Sequence, residues 1–101
     1  MPPYLINISA EARRDILDTY KYIAHVLFEP DTADKYQKGI LDCIAKLAFH
    51  GGAFAISQRA YVQYCWGPEA RTISYKNMTI VYNLIGNMVL VRRVIASSMV
   101  L

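Results

Sequence analysis

The second half of the chain contains almost no acidic side chains. Residues 51–101 hold five lysines and arginines against a single acid, Glu69, whereas residues 1–50 hold six cations and seven acids. The net charge of +3 therefore comes from the C-terminal half. Such a one-sided balance favours a polyanion or an acidic protein as partner, although a basic surface that is merely solvated fits the charge equally well.

Cysteine, histidine and long apolar runs are also scarce. Cys43 and Cys65 lack the spacing of a metal site, and His25 and His50 are isolated from each other. No apolar run reaches the roughly 20 residues that a membrane span needs, and the N-terminus has no signal-peptide core. We therefore expect a cytoplasmic protein with free thiols, one disulfide being the alternative, and without a metal, a cofactor or a membrane segment.

The length of 101 residues allows one domain, residues 1–101, with one core. Hydrophobic residues make up 54% of the chain, which is more than a small core needs. Part of the apolar surface is therefore expected to contact a partner. A tightly packed core rich in the eight tyrosines explains the same composition.

The first half predicts one strand and two helices. Residues 4–8 alternate with a period of two, and a helix with one apolar stripe follows to about Phe28. Pro30 ends this helix, because the residue before a proline is pushed out of the helical region. Asp31 is expected to cap a second helix, which ends in a left-handed turn at Gly51-Gly52. The short linker makes the two helices antiparallel.

The second half predicts a loop and then a β-meander. Residues 53–70 have no clear period and are expected to form a long loop with a short strand near 60–65. Strands are expected at about 71–75, 79–84 and 88–96, with the last in a central position. This order predicts an α+β fold, β-α-α-β-β-β or one strand more. Its N-terminal helical hairpin packs on one face of a small, mainly antiparallel twisted sheet.

Basic residues and tyrosines alternate along the predicted sheet. They are Arg71, Tyr75, Lys76, Tyr82, Arg92 and Arg93. The adjacent arginines are expected to project to opposite faces of their strand, one toward the helices or an edge and the other toward the open face. Such a surface can bind phosphates and stack on bases, or bind acidic side chains of a partner. Alternatively, the arginine stems cover the sheet edge and the tyrosines belong to the core.

Catalytic chemistry has few candidate groups. No histidine or carboxylate stands near the basic cluster, so acid–base catalysis would have to use Lys76, a tyrosine or an arginine. The sequence contains no recognisable Ser-His-Asp or Cys-His set, no Gly-rich phosphate loop and no paired-carboxylate motif.

Four segments resemble the RelE/ParE superfamily of toxins from bacterial toxin–antitoxin modules, often labelled plasmid stabilisation proteins. The segments, in chain order, are Ile8–Ala24, Asp31–Tyr36, Arg71 together with Tyr75–Tyr82, and Val91–Ile95. The resemblance implies the α+β fold predicted from the residues. It also implies a small antitoxin that wraps and neutralises the toxin, in a homodimer of the toxin or a heterotetramer with the antitoxin.

Two activities occur in that superfamily: RelE-like members cut mRNA on the ribosome, and ParE-like members poison DNA gyrase. In the first case the resemblance makes Arg71, Lys76 and Arg93 the catalytic residues of a metal-independent mRNA endoribonuclease. Thr79 and Ala96 stand where many such nucleases carry arginine and histidine. These departures favour a ParE-like gyrase inhibitor, with the nuclease or an inactive interaction domain as alternatives.

Overall fold

The fold is a four-stranded mixed sheet with helices on both faces. The computed structural model describes residues 3–101. The elements are β1 (Leu5–Ile8), α1 (Ala10–Lys21), a π-helical turn (Tyr22–Val26), α2 (Pro30–His50), α3 (Ala60–Trp66), β2 (Arg71–Tyr75), β3 (Met78–Ile85), β4 (Met88–Ala96) and a 3-10 turn (Ser97–Met99). The strand order is β1-β4-β3-β2, and only β1 and β4 are parallel. The predicted α+β class and the central position of the last strand are confirmed.

Ser9 fixes the passage from β1 into α1. Its hydroxyl oxygen accepts a hydrogen bond from the backbone N–H of Ala12 at 3.1 Å, which caps the helix. The same hydroxyl donates to the backbone oxygen of Arg92 at 2.9 Å. One side chain thus starts the helix and ties it to the neighbouring strand β4, so that α1 lies across the sheet.

The main core lies between the helical hairpin and one face of the sheet. Its buried members from α1 and α2 follow helical spacing, and those from the strands alternate. They are Ala12, Ile16, Ile40, Ile44, Leu47, Met78, Ile80, Tyr82, Val89, Val91 and Val94. Fully burying an aliphatic side chain contributes roughly 1.5–3 kcal/mol, so this cluster dominates the stability of the fold.

A second, smaller core lies on the opposite face of the sheet. It consists of Val62, Ala70, Val81, Ile95 and Val100, with Tyr61 and Trp66 packed against it. The predicted short strand near residues 60–65 is therefore wrong, because this segment forms α3. Cys65, expected in a loop, lies on the exposed side of the same helix.

Both predicted details at the ends of α2 are also wrong. The helix begins at Pro30 with Glu29 in the N-cap position, so Asp31 lies inside its first turn; proline suits this start because its missing N–H has no helical partner there. Gly51 has a φ of −55°, which is right-handed. A Cβ there would lie 2.8 Å from the Leu47 oxygen and 3.0 Å from Val89 Cγ2, so glycine is needed for space.

No helix within residues 3–101 is long and apolar enough to cross a bilayer. The same part of the chain contains no group of three or more His, Cys, Asp or Glu side chains that could hold a metal ion. Both cysteines are free thiols.

Candidate functional site

A β-bulge at Arg92 sets the directions of the two adjacent arginines. Val81 pairs with Arg93 but Tyr82 pairs with Val91, which leaves Arg92 as the extra residue of β4. The Arg92 guanidinium donates to Asn83 Oδ1 at 3.2 Å. The bulge places both arginines on the face of the sheet that carries the second core, because Val91 and Val94 on either side of them belong to the main core. The expectation that they project to opposite faces is therefore wrong. Arg93 reaches α1 from there around the edge of β4.

Arg93 is held by the carboxylate of Asp15 on α1. Its Nε lies 2.7 Å from Asp15 Oδ2 and its Nη2 lies 3.1 Å from Oδ1. The backbone N–H of Val94 donates to the same Oδ2 at 2.9 Å. The pairing of β1 with β4 ends at Ile8, opposite Val91. Beyond that pair, the Asp15 carboxylate replaces a neighbouring strand as the hydrogen-bond acceptor for β4. The hydrogen bond to Asp15 raises the pKa of Arg93, and no other ion pair within 4.0 Å occurs in residues 3–101.

Tyr82 lies in the main core and is fully buried. Its hydroxyl donates to the backbone oxygen of Gly51 at 2.6 Å, at the end of α2. Burial raises the pKa of Tyr82 to about 12. The expectation that Tyr82 contacts a partner is therefore corrected, because its side chain has no accessible surface.

Arg71 is engaged inside the chain as well. Its Nη1 donates to the backbone oxygen of Phe54, which ties the 51–57 loop to the start of β2. Its Nε is buried without a hydrogen-bond partner within residues 3–101. Arg71 therefore holds the loop in place, and the rest of its side chain is partly exposed.

Tyr75 and Lys76 are brought together at the turn between β2 and β3. The Tyr75 ring meets the Tyr36 ring edge-on, with centroids 5.3 Å apart. The exposed Lys76 ammonium lies 5.5 Å from the Tyr36 centroid and 5.6 Å from the Tyr75 centroid, within reach of a cation–π contact. Of the three predicted catalytic residues, Lys76 is the exposed one, whereas Arg71 and Arg93 are half-buried and bonded within the chain.

A concave surface lies beside this turn and shares Tyr36 with it, and we call it the helix groove. It has a volume of about 610 Å³ and lies between the C-terminal part of β4 and the first helical layer. Its lining comprises Asp15, Asp18, Thr19, Tyr22, Ile23, Leu27, Glu29, Thr32, Tyr36, Asn77, Met78, Arg93, Val94, Ile95, Ala96 and Met99. The groove runs along the edge of β4 that β1 leaves uncovered beyond Val91.

The helix groove combines an apolar interior with an acidic rim. Tyr22, Leu27 and Met99 are 46–62% exposed although they are large and apolar. Asp18 and Glu29 lie on the rim without an ion-pair partner in residues 3–101. Exposed apolar side chains in a concavity mark a binding surface for another macromolecule. Sequence reasoning missed this groove, although the apolar residues at the end of the first helix exceed what one buried stripe needs.

Comparisons with known proteins agree with this architecture. No protein-family model matches the chain, and no curated protein matches it. A chain of the chromosomal ParDE TA system from P. aeruginosa shares the fold with a TM-score of 0.74 at 16% identity, over 92% of this chain and 95% of that chain. A chain of the toxin–antitoxin complex RelBE2 from Mycobacterium tuberculosis gives a TM-score of 0.54 at 16% identity, over 93% and 98%. The chain therefore has the fold found in both systems.

Proposed function

We propose that the protein is the toxin of a toxin–antitoxin module, of the ParE-like type, and acts in the cytoplasm by binding and inhibiting DNA gyrase. The observation that carries the proposal is the shared fold with a chain of a ParDE system, at a TM-score of 0.74 over more than nine-tenths of both chains. The likeness to a chain of RelBE2 is weaker, with a TM-score of 0.54.

The state of the two arginines favours binding over cleavage of RNA. A metal-independent nuclease neutralises the charge at the scissile phosphate with accessible cationic side chains. Arg93 is bound by both oxygens of Asp15, and Arg71 by the carbonyl of Phe54. Freeing Arg93 would leave the partly buried Asp15 carboxylate without its cation, which opposes the change.

The helix groove supports neutralisation by a small antitoxin. Its volume of about 610 Å³ and its exposed Tyr22, Leu27 and Met99 suit an amphipathic segment that inserts apolar side chains. Basic side chains on that segment would face Asp18 and Glu29 on the rim. An antitoxin bound there would cover the apolar surface that the free protein exposes.

A supercoiling assay with purified gyrase tests the proposal. We expect the protein to inhibit supercoiling and to leave mRNA on translating ribosomes intact. The antitoxin encoded beside the gene should restore gyrase activity. Cuts at codons in the ribosomal A site, lost in Arg71→Ala, would overturn gyrase inhibition as the function.

A ribosome-dependent mRNA endonuclease is the second candidate, and the exposed Lys76 beside two tyrosine rings favours it. In that case Lys76→Ala abolishes killing while the fold survives. The Lys76 side chain is exposed and makes no ion pair within residues 3–101, so its substitution removes only its contacts with the two tyrosine rings.

A further inference from the structure

Helix α2 carries a second apolar ridge on its solvent-exposed side. Its inner side packs into the main core, for example through Ile40 and Ile44. The exposed side presents Leu41, Ala45 and Phe49, which are spaced four residues apart and therefore form one ridge along the helix. We call this ridge the outer stripe. Phe49 is 72% exposed and Leu41 is 42% exposed, so the packing of residues 3–101 leaves the outer stripe uncovered.

Two complementary charges lie along one flank of the outer stripe. Asp42 and Lys46 are exposed and four residues apart, yet they form no ion pair within residues 3–101. When two such helices pack antiparallel around a two-fold axis at Ala45, the same flank of each helix meets the other. Asp42 of one copy then lies about 3 Å along the axis from Lys46 of the second copy, and the pair occurs twice.

We propose that two copies of this chain form a symmetric dimer in which the outer stripes of α2 pack antiparallel around Ala45. Leu41 of each copy then packs against Phe49 of the other. The small side chain of Ala45 at the centre lets the helix axes approach to about 8 Å, the lower end of the usual range. The helix groove has a different lining, so the dimer leaves that groove open.

Charge complementarity favours a second copy over other occupants. Lys38 lies seven residues before Ala45, so antiparallel packing places it beside Gly52 of the other copy, just past the end of α2. The last carbonyls of a helix carry a partial negative charge, which attracts this ammonium group. Asp42 and Lys46 find their opposite charges in the second copy, whereas a polyanion would leave Asp42 facing like charge.

Sedimentation equilibrium of the purified chain tests for the dimer. A single ridge on each copy buries less than about 1,200 Å² in total, the size of weak and transient contacts, so the concentration is varied from about 1 to 500 µM. We expect the mean mass to rise from that of one 11.5 kDa chain toward that of two. A mean mass of one chain at every concentration overturns this inference and leaves the proposed function standing.

A charge exchange tests the antiparallel pairing. Asp42→Lys should raise the dissociation constant of the dimer at least about fivefold, because both copies then carry only cations on the shared flank. Lys46→Asp should do the same, and the double variant should return the constant to within about twofold of the original. Glu69→Lys makes the same charge change in the turn after α3 and should have no effect. A double variant as weak as the single variants overturns the pairing.

A thiol at the two-fold axis gives an independent test. Ala45→Cys is made in a Cys65→Ser background, which removes the exposed native thiol and leaves the partly buried Cys43. Mild oxidation should link the copies through position 45, because this residue faces its own counterpart. Lys35→Cys in the same background is the control, since ten residues from the axis on each copy separate the two thiols by about 30 Å.

Equal crosslinking of the two thiol variants overturns this inference. A chain that stays monomeric, and whose position-45 thiol is shielded only in a complex with the protein of the adjacent small reading frame, has a different occupant on the outer stripe. That result also overturns the dimer, and it leaves the toxin proposal standing.

Discussion

At the residue scale, Asp15 is the side chain that joins the two layers near the candidate sites. One carboxylate accepts from two nitrogens of Arg93 and from the backbone of Val94. Asp15 therefore accepts the hydrogen bond of a β4 backbone N–H that no neighbouring strand pairs with. It also neutralises the charge of Arg93. Charge-assisted hydrogen bonds of this kind are stronger than neutral ones.

We expect Asp15→Asn to destabilise the fold by about 1–3 kcal/mol, because the charged partner of Arg93 is lost while its cation stays partly buried. Urea unfolding followed by the fluorescence of Trp66, which packs against the second core, measures the change. Asp18→Asn is the control, since Asp18 is exposed and unpaired within residues 3–101. Equal unfolding midpoints for the two variants would contradict the role of Asp15.

The buried hydroxyl of Tyr82 makes stability depend on pH in the alkaline range. Its pKa is about 12 in the folded chain, above the ordinary value of 10.0. The contribution is therefore complete below pH 10.0 and is lost as pH rises toward 12, because the unfolded chain releases the proton first. A shift of this size corresponds to roughly 2–3 kcal/mol.

Tyr82→Phe should lower stability at neutral pH by about 1–2 kcal/mol, since the Gly51 oxygen loses its donor. It should also flatten the fall of the unfolding free energy at alkaline pH. Tyr64→Phe, at a side chain that is 91% exposed, is the control. Parallel alkaline profiles for Tyr82→Phe and the wild type would show that the hydroxyl titrates normally.

The sequence predicted these residue-level features only in part. The cap at Ser9 is a local feature, because its side chain bonds to the backbone N–H of Ala12 three residues on. The pairing of Asp15 with Arg93 spans 78 positions and has no local signature. The bulge at Arg92 likewise depends on how β4 must bend between β1 and β3.

At the element scale, α2 and β2 meet through a glycine. A Cβ at Gly39 would collide with the Tyr75 ring. Glycine normally weakens a helix by about 1 kcal/mol relative to alanine, so its presence inside α2 reflects the space that this ring occupies. The hydroxyl end of the Tyr75 ring is therefore fixed against the helix, and the side chain is only partly accessible.

Gly39→Ala should destabilise the protein by about 1–2 kcal/mol net, because overpacking outweighs the gain in helix propensity. In a Tyr75→Ala background the same change should be neutral or stabilising, since the collision is gone. Urea unfolding of the four proteins in this cycle measures the coupling. Equal effects of Gly39→Ala in both backgrounds would contradict the packing described for Tyr75.

The errors at the element scale have a common cause. Residues 60–65 contain tyrosine, valine and cysteine, which favour a strand locally. The segment forms α3 because Val62 and Trp66, four residues apart, can both pack against the second core from one helical face. That core exists only once Val81, Ile95 and Val100 have come together, which a local pattern does not reveal.

At the scale of the whole molecule, two of the concave surfaces that residues 3–101 form differ in the charge of their side chains. The helix groove is apolar with acidic side chains on its rim, whereas a cleft of about 400 Å³ between α2 and β2 is lined by Lys46 and His50 without an acid. Residues 51–101 carry an excess of basic side chains, but two of them, Arg71 and Arg93, are bonded within the chain.

Growth of cells that express the protein from an inducible promoter tests the central claim most directly. We expect growth arrest on induction, and recovery when the small reading frame beside the gene is co-expressed. The arrest should persist in Lys76→Ala if the protein acts by binding gyrase rather than by cutting RNA. Undisturbed growth on induction of the soluble, folded protein without its neighbour would contradict the assignment as a toxin.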